Sequence, residues 1–189
     1  MAFKLFMVLI GAKPSGRHIE QHDYFFAIGE SIADIVPAIK NFWPEAKGTL
    51  HIDGWREINT IGQFRIGIRP KDETTQPQKQ KIFFINLGGY TQNLLEEQHF
   101  NLLLVAKDMA EAIQLAKKAS FFKTNSIPGA RSHVDDKYVL DIDDAYAVDD
   151  LLSENERKLY SINISEDSNL TEDKIHLGYF KLDKIAAGK

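Results

Sequence analysis

The sequence contains no cysteine among its 189 residues. Disulfides, thiolate zinc sites and cysteine nucleophiles are therefore excluded, and a metal site would have to use histidine, aspartate or glutamate. Long apolar runs are also missing, since no segment approaches the roughly 20 residues that span a bilayer. The sequence also lacks an excess of positive charge, since 23 Lys and Arg residues are outnumbered by 27 Asp and Glu residues, which gives a formal net charge of −4. This balance argues against general nucleic-acid binding, which needs a basic surface, and gives no case for an anionic membrane.

Several motifs of familiar enzymes are absent as well. The sequence has no Gly-x-Ser-x-Gly elbow and no dinucleotide fingerprint. The loop from Gly11 to Gly16 has the glycine spacing of a phosphate-binding loop, but Arg17-His18 stand where Lys-Ser/Thr is required. Lys13 and Arg17 remain candidate contacts for an anion, and a solvated loop is the simpler interpretation.

What the sequence does contain is a repeat of itself. Residues 4–43 align without a gap on residues 81–120, at an offset of 77, and eight of these forty positions are identical. The match resumes at an offset of 90, where Leu50–Asp53 aligns on Leu140–Asp143. It resumes again at an offset of 96, where Gln63–Ile68 aligns on Leu159–Ile164. We infer that the chain arose by internal duplication.

Each copy begins with two apolar runs that predict neighbouring strands. Leu5–Ile10 and Ile82–Leu87 are continuous and end in glycine, which is typical of a buried strand followed by a turn. A polar loop of about ten residues leads to His22–Gly29 and His99–Ala106, and a loop of that length can join antiparallel neighbours. The first run resembles the core of a signal peptide, but its copy lies in mid-chain, so we interpret it as a strand.

A helix is predicted after the second strand of each copy. Ser31 with Asp34, and Asp108 with Glu111, have the spacing of a helix N-cap with an acidic residue at the third position. Pro37 falls inside the first helix, where it should kink the helix or cost only an early backbone hydrogen bond. Third and fourth strands follow in each copy, and residues 178–182 predict one last short strand.

The predicted fold class is α+β. We expect two tandem strand–strand–helix–strand–strand modules related by a pseudo-two-fold axis, with a mainly antiparallel sheet and the helices outside. Module 1 spans residues 1–72, a linker spans 73–80, and module 2 spans 81–189 with longer loops and the C-terminal strand. One helix covers only one sheet face, so the other module, or a second copy of the chain in a homodimer, is expected to cover the second face. We expect the two modules to form one compact body.

The sharpest candidate site is a repeated Glu-Gln-His, found as Glu20 with His22 and as Glu97 with His99. Residues i and i+2 of a strand point to the same face, so each glutamate can pair with its histidine. Asp53 and Asp143, in the matching third strands, could complete a site for a divalent metal or for acid/base chemistry. The alternative is that each pair ties its long loop to the sheet. Repetition in both copies favours a structural tie or a symmetric ligand site over a single catalytic centre.

Several segments resemble an uncharacterised bacterial family, the domain of unknown function 1543 family. In the first half they are the Lys4–Ile10 strand with its glycine turn, Glu20-x-His22-Asp23 and Leu50-His51-Ile52-Asp53-Gly54. In the second half they are Phe84-x-Asn86-Leu87-Gly88-Gly89-Tyr90, Glu97-x-His99 and Gly178-Tyr179. The second copy has Asp141 where the first has His51, so a ligand from that histidine exists in one copy only. The resemblance implies a bacterial, cytoplasmic, duplicated α+β protein and assigns no activity, cofactor or functional residue.

Two functional hypotheses remain, together with a simpler third. The first is a soluble binding or interaction protein that recognises a small molecule or a protein. The second is a metal- or acid/base-dependent enzyme that uses Glu20, His22 and Asp53, their copies, or both, and the sequence leans away from it. The third is a structural subunit of a larger assembly. No cofactor is implied beyond a divalent metal at these residues.

Overall fold

The computed structural model describes residues 2–46, 48–72, 75–90, 95–118 and 141–188. The chain divides into two compact units. Met1–Pro77 and Leu151–Lys189 form the first unit, and Gln78–Asp150 forms the second. The C-terminal part of the predicted second module therefore groups with the first unit. Among the longer loops expected in module 2, the one that would include residues 126–136 lies outside the described residues.

The first unit contains a four-stranded antiparallel sheet made of β1 (Lys4–Ala12), β2 (Gln21–Gly29), β3 (His51–Glu57) and β10 (His176–Lys181). The order across the sheet is β10-β3-β1-β2. The predicted long-looped hairpin is confirmed, because β1 pairs with β2 from Lys4 opposite Gly29 to Ala12 opposite Gln21. The predicted last strand is present, but it begins earlier, at His176.

The second unit contains a three-stranded antiparallel sheet made of β6 (Lys81–Tyr90), β7 (Glu97–Ala106) and β8 (Asp141–Ala147). The order across the sheet is β7-β6-β8. Lys81 lies opposite Ala106 as Lys4 lies opposite Gly29, an offset of 77 on both strands. The register shift between Leu9 and Ile10 recurs between Asn86 and Leu87. These matched registers support the internal duplication that the sequence predicts.

A third sheet, in the first unit, joins the predicted fourth strands of the two copies. It contains β4 (Thr60–Ile61), β5 (Phe64–Pro70) and β9 (Tyr160–Glu166) in the order β4-β5-β9. Gly67 lies opposite Asn163, which is the residue that aligns with it in the repeat at an offset of 96. The pairing of β5 with β9 is therefore unchanged when the two strands are exchanged. This local two-fold relation supports the predicted pseudo-symmetry.

Five short α-helices lie among the described residues, and the start predicted for the first was wrong. They are α1 (Val36–Phe42), α2 (Met109–Ala116), α3 (Val148–Leu151), α4 (Glu154–Leu159) and α5 (Leu182–Ala186). Ser31 does not cap α1, which begins at Val36 with Pro37 in its first turn. A helix running from Ser31 would bring the Pro37 ring against the carbonyl four residues earlier. The backbone N–H and Oγ of Ser31 instead donate to Asp34 Oδ2, at 2.8 and 2.9 Å.

The N-cap predicted for the second helix is confirmed. The backbone N–H of Glu111 donates to Asp108 Oδ1 at 2.9 Å, and that of Lys107 donates to Glu111 Oε2 at 2.8 Å. A second capping box, between Ser153 and Glu156, begins α4. Glu156 Oε1 also accepts a 2.6 Å bond from the backbone N–H of Ile28, which ties α4 to the edge strand β2.

Each unit has its own hydrophobic core. In the first, residues from β1, β2, β3, α1 and α5 pack together; they are Phe6, Val8, Ile10, Phe25, Ala27, Ile35, Val36, Ile39, Ile52, Leu182 and Ile185. In the second, the core residues are Phe83, Ile85, Leu87, Ala106, Ala112, Ala116 and Ala147. Within the described residues, none of the helices has the length and apolar character needed to cross a membrane.

Candidate metal centre

The candidate site lies where β1, β2 and β3 run side by side in the first unit. Gly11 of β1 is opposite His22 on β2 and His51 on β3. The register shift in the β1–β3 pairing leaves Asp53 as the extra residue between Ile52 and Gly54. A Cβ on Gly11 would overlap Asp53 Oδ2 and lie 2.7 Å from His51 Nε2. The glycine therefore leaves a space that these two side chains face.

Four side chains meet at this space. His51 Nε2 lies 2.7 Å from Glu20 Oε1 and 3.2 Å from Asp53 Oδ1. His22 Nε2 lies 3.2 Å from Asp53 Oδ2. The His51 side chain is only 5% exposed, whereas Glu20 and His22 are 44% and 47% exposed. The cluster thus has a buried histidine at its base and a rim open to solvent.

The hydrogen on Nδ1 of His51 follows from the contact that this nitrogen makes. Nδ1 lies 2.8 Å from the carbonyl oxygen of Thr49. A carbonyl can only accept, so Nδ1 carries the hydrogen and, in the neutral ring, Nε2 presents a lone pair. Although Nε2 is close to Glu20, it has no hydrogen-bond partner of acceptable geometry, and the same holds for the buried Asp53 Oδ2. His51 Nε2 and Asp53 Oδ2 are therefore two buried polar atoms that face one space and make no hydrogen bond.

A cation between these atoms would satisfy both. The ligand atoms of Glu20, His51 and Asp53 lie within 4.8 Å of one another. Imidazole nitrogen and carboxylate oxygen are common ligands of zinc and related divalent metals. Metal-binding histidines usually donate their second ring N–H to a carbonyl or carboxylate, as His51 does to Thr49. The donor set and its backbone support fit a divalent metal ion.

The glutamate–histidine pairing differs between the two units. Glu20 and His22 each contact a residue of β3 rather than each other, so the predicted Glu20–His22 pair was wrong. Glu20 precedes the first residue of β2, Gln21, so the strand rule for i and i+2 does not apply to it. In the second unit, Glu97 Oε2 and His99 Nε2 do pair, at 3.7 Å.

The second unit has a different residue at the position of His51. Gly88 lies opposite Asp141 in the register that places Gly11 opposite His51. Asp143 belongs to β8, but its side chain lies outside the described part of the structure. The structure brings Glu20, His22 and Asp53 into one cluster, and His51, which the sequence raised only as a ligand available in one copy, lies at its centre. The available signal for His51 was its alignment with Asp141, a position at which the two copies differ in chemistry.

The anion contacts suggested for the first loop are not part of this cluster. Lys13 and Arg17 are both exposed. The backbone N–H of Arg17 donates to the carbonyl of Pro14 at 3.2 Å, which closes a turn. The backbone N–H of Lys13 donates to Thr49 Oγ1 at 3.2 Å, so this loop is tied to the segment that supports His51.

Comparison with known proteins finds a family model that matches part of the chain. Residues 17–68 match the family model described as Domain of Unknown Function (DUF1543). The resemblance seen in the sequence is thereby confirmed. The matched segment contains Glu20, His22, His51 and Asp53, all four side chains of the cluster.

One solved structure extends the likeness to nearly the whole chain. It is the crystal structure of a protein Il1583 from Idiomarina loihiensis, with a TM-score of 0.65 and 25% sequence identity. The alignment covers 95% of this chain and 98% of that chain. No curated protein matches the sequence significantly. These likenesses bring no established activity to the chain.

Proposed function

We propose that the first unit binds a divalent transition-metal ion through Glu20, His51 and Asp53, with His22 beside the Asp53 carboxylate. The observation that carries the proposal is the buried Nε2 of His51, which has no hydrogen-bond partner and faces two carboxylates. Thr49 fixes the ring so that this nitrogen presents its lone pair. The protein is then a metal-binding protein, a specific form of the binding hypothesis.

The donor types favour some metals over others. Calcium and magnesium prefer sites made entirely of oxygen ligands. A site with one or two imidazoles and two carboxylates suits zinc, iron, nickel or copper better. We choose Zn²⁺ as the probe, because it accepts these ligands and has no redox chemistry of its own. The exposed rim formed by Glu20 and His22 would give the ion access from solvent.

A direct titration tests the proposal. Protein stripped with a chelator is titrated with Zn²⁺ in competition with a chromogenic indicator, as the parent chain and as His51→Ala, Asp53→Asn and His99→Ala. Loss of one ligand should weaken zinc binding by about 100-fold or more, since a ligand matters at least as much as the residues that support it. His99→Ala is the matched control, because His99 occupies the position of His22 in the second unit and should leave this site intact.

The competing interpretation is a structural tie without metal. In that case His51 is an imidazolium that holds Glu20 and Asp53, and its loss changes stability alone. Equal zinc affinity in the parent chain and in His51→Ala, or no zinc binding by either, would therefore reject a metal centre. An increase of the melting temperature with zinc in the parent chain, absent in His51→Ala, would support it.

The proposal extends to the organisation of the chain. We propose that modules 1–72 and 81–189 derive from one duplicated ancestor and that the histidine-containing site belongs to the first alone. The matched strand registers support the common origin, and Asp141 at the position of His51 supports the difference. The cytoplasmic location that we propose is supported by the family resemblance alone.

A further inference from the structure

Tyr179 lies directly against the buried histidine of the candidate metal centre. The ring centroids of Tyr179 and His51 are 4.2 Å apart, with 34° between the ring planes. Tyr179 is 64% exposed, whereas His51 is 4% exposed. A large aromatic ring at the surface therefore covers a histidine that is almost fully buried.

The backbone of β10 holds Tyr179 in this place. Lys181 lies opposite His51 and Phe180 opposite Ile52, and the register of β10 on β3 shifts between Leu177 and Phe180. Tyr179 belongs to that irregular stretch. Its position is thus set by a local departure from regular pairing rather than by the strand alternation alone.

The residues on either side of Tyr179 explain the irregularity. Gly178 has φ +151°, a conformation that residues with a side chain rarely adopt. A Cβ there would also lie 3.2 Å from the Phe180 ring. Phe180 packs against the core of the first unit. The glycine allows the bend and the phenylalanine anchors it, so Tyr179 is fixed between them.

We infer that Tyr179 is a positioning residue of the metal centre. This inference rests on the proposed metal-binding function. The Tyr179 ring restrains one face of the His51 imidazole, while the hydrogen bond to Thr49 restrains its edge. Together the two contacts keep Nε2 directed at Glu20 and Asp53. Loss of the ring should leave the ligands in place but free the imidazole to tilt.

The test compares Tyr179→Ala, Tyr179→Phe and Leu177→Ala in the full-length chain. Zinc affinity is measured by the indicator competition above, and the His51 ring is followed by NMR of its carbon-bound hydrogens and nitrogens without metal. Because residues that orient a ligand typically affect metal affinity by about 10- to 100-fold, Tyr179→Ala should weaken zinc binding by about 10-fold. Tyr179→Phe keeps the ring and should bind zinc like the parent. Leu177→Ala, an exposed residue of the same strand, is the matched control.

Two results would overturn the inference. The first is parental zinc affinity in Tyr179→Ala together with His51 ring signals as sharp as in the parent chain. The second is an equal loss of affinity in Tyr179→Phe, which would assign the effect to the hydroxyl rather than to the ring. If the parent chain itself binds no zinc, the proposed function fails, and the NMR comparison still decides on positioning. Because loss of the Tyr179 ring current shifts these signals in any case, the criterion is motion: broadened His51 ring signals in Tyr179→Ala and not in Tyr179→Phe would then support it, and signals as sharp as in the parent would reject it.

Discussion

Gly11 is the residue on which the candidate metal centre depends most directly. It occupies the middle of three neighbouring strands, between His22 and His51. Any side chain there would take the space that His51 Nε2 and Asp53 Oδ2 share. The sequence showed this glycine as identical in both copies, which suggested only a turn. Its role in leaving room for a ligand became visible through the strand register.

Gly11→Ala should abolish zinc binding by the first unit. The added methyl group overlaps the Asp53 carboxylate and approaches His51, so the ligands must move apart. Overpacking of this kind also costs about 1–3 kcal/mol of stability. Gly67→Ala is the matched control, because it adds a methyl group to a strand where nothing lies within 4 Å. Undiminished zinc affinity in Gly11→Ala would contradict the proposed geometry.

Secondary structure elements of this chain differ in how clearly the sequence defines them. The strands β1, β2, β6 and β7 could be predicted because each is a continuous apolar run, and their hairpin pairing followed from loop length. α5 could not be predicted, because five residues are too few to establish a helical period. The start of α1 was wrong because an apparent cap at Ser31 competed with Pro37, and the proline decided the outcome.

The capping of α2 gives a prediction at this scale. Asp108→Ala removes the acceptor for the backbone N–H of Glu111 and should destabilise the second unit by about 1 kcal/mol. Asp108→Asn keeps an acceptor at the same place, so the loss of stability should be only roughly a few tenths of a kcal/mol. Amide hydrogen exchange across α2 measures both. Equal protection of α2 in Asp108→Ala and in the parent chain would show that the cap contributes little.

The candidate site also depends on an element-level feature that the sequence does not show. Glu20, His22 and Asp53 could be proposed as neighbours from the repeat. The sequence raised His51 only as a ligand of one copy, because its place opposite Gly11 and beside the extra residue Asp53 depends on how β1 pairs with β3. A register shift changes which residues lie opposite each other, and neither the composition nor the spacing of residues specifies where it occurs.

At the scale of the whole molecule, the C-terminal segment joins the N-terminal segment in one compact unit. Residues 151–189 belong to the same compact unit as residues 1–77. β9 pairs with β5, β10 pairs with β3, and Leu182 and Ile185 enter the core of the first unit. The sequence placed these residues in the second module, since linear alignment cannot show which distant strand a segment will join. Tyr179 lies next to His51 because this C-terminal segment belongs to the first unit.

Leu182→Ala tests this connectivity. Leu182 is 5% exposed within the first core, so its truncation should cost about 2–4 kcal/mol. Hydrogen exchange should show faster exchange in β1 and β3, although these strands lie more than a hundred residues earlier in the chain. Leu177→Ala, which is 75% exposed, should leave these amides unchanged. Faster exchange confined to residues after 151 would contradict the assignment of α5 to this core.

The central claim is a metal ion held by Glu20, His51 and Asp53. The most direct measurement is a crystal structure of the zinc-loaded protein, with anomalous difference maps collected on both sides of the zinc absorption edge. The account predicts an edge-dependent peak about 2.0–2.2 Å from His51 Nε2 and from the carboxylates of Glu20 and Asp53. Zinc bound elsewhere on the chain, with this cluster empty and its side chains in their present contacts, would contradict it.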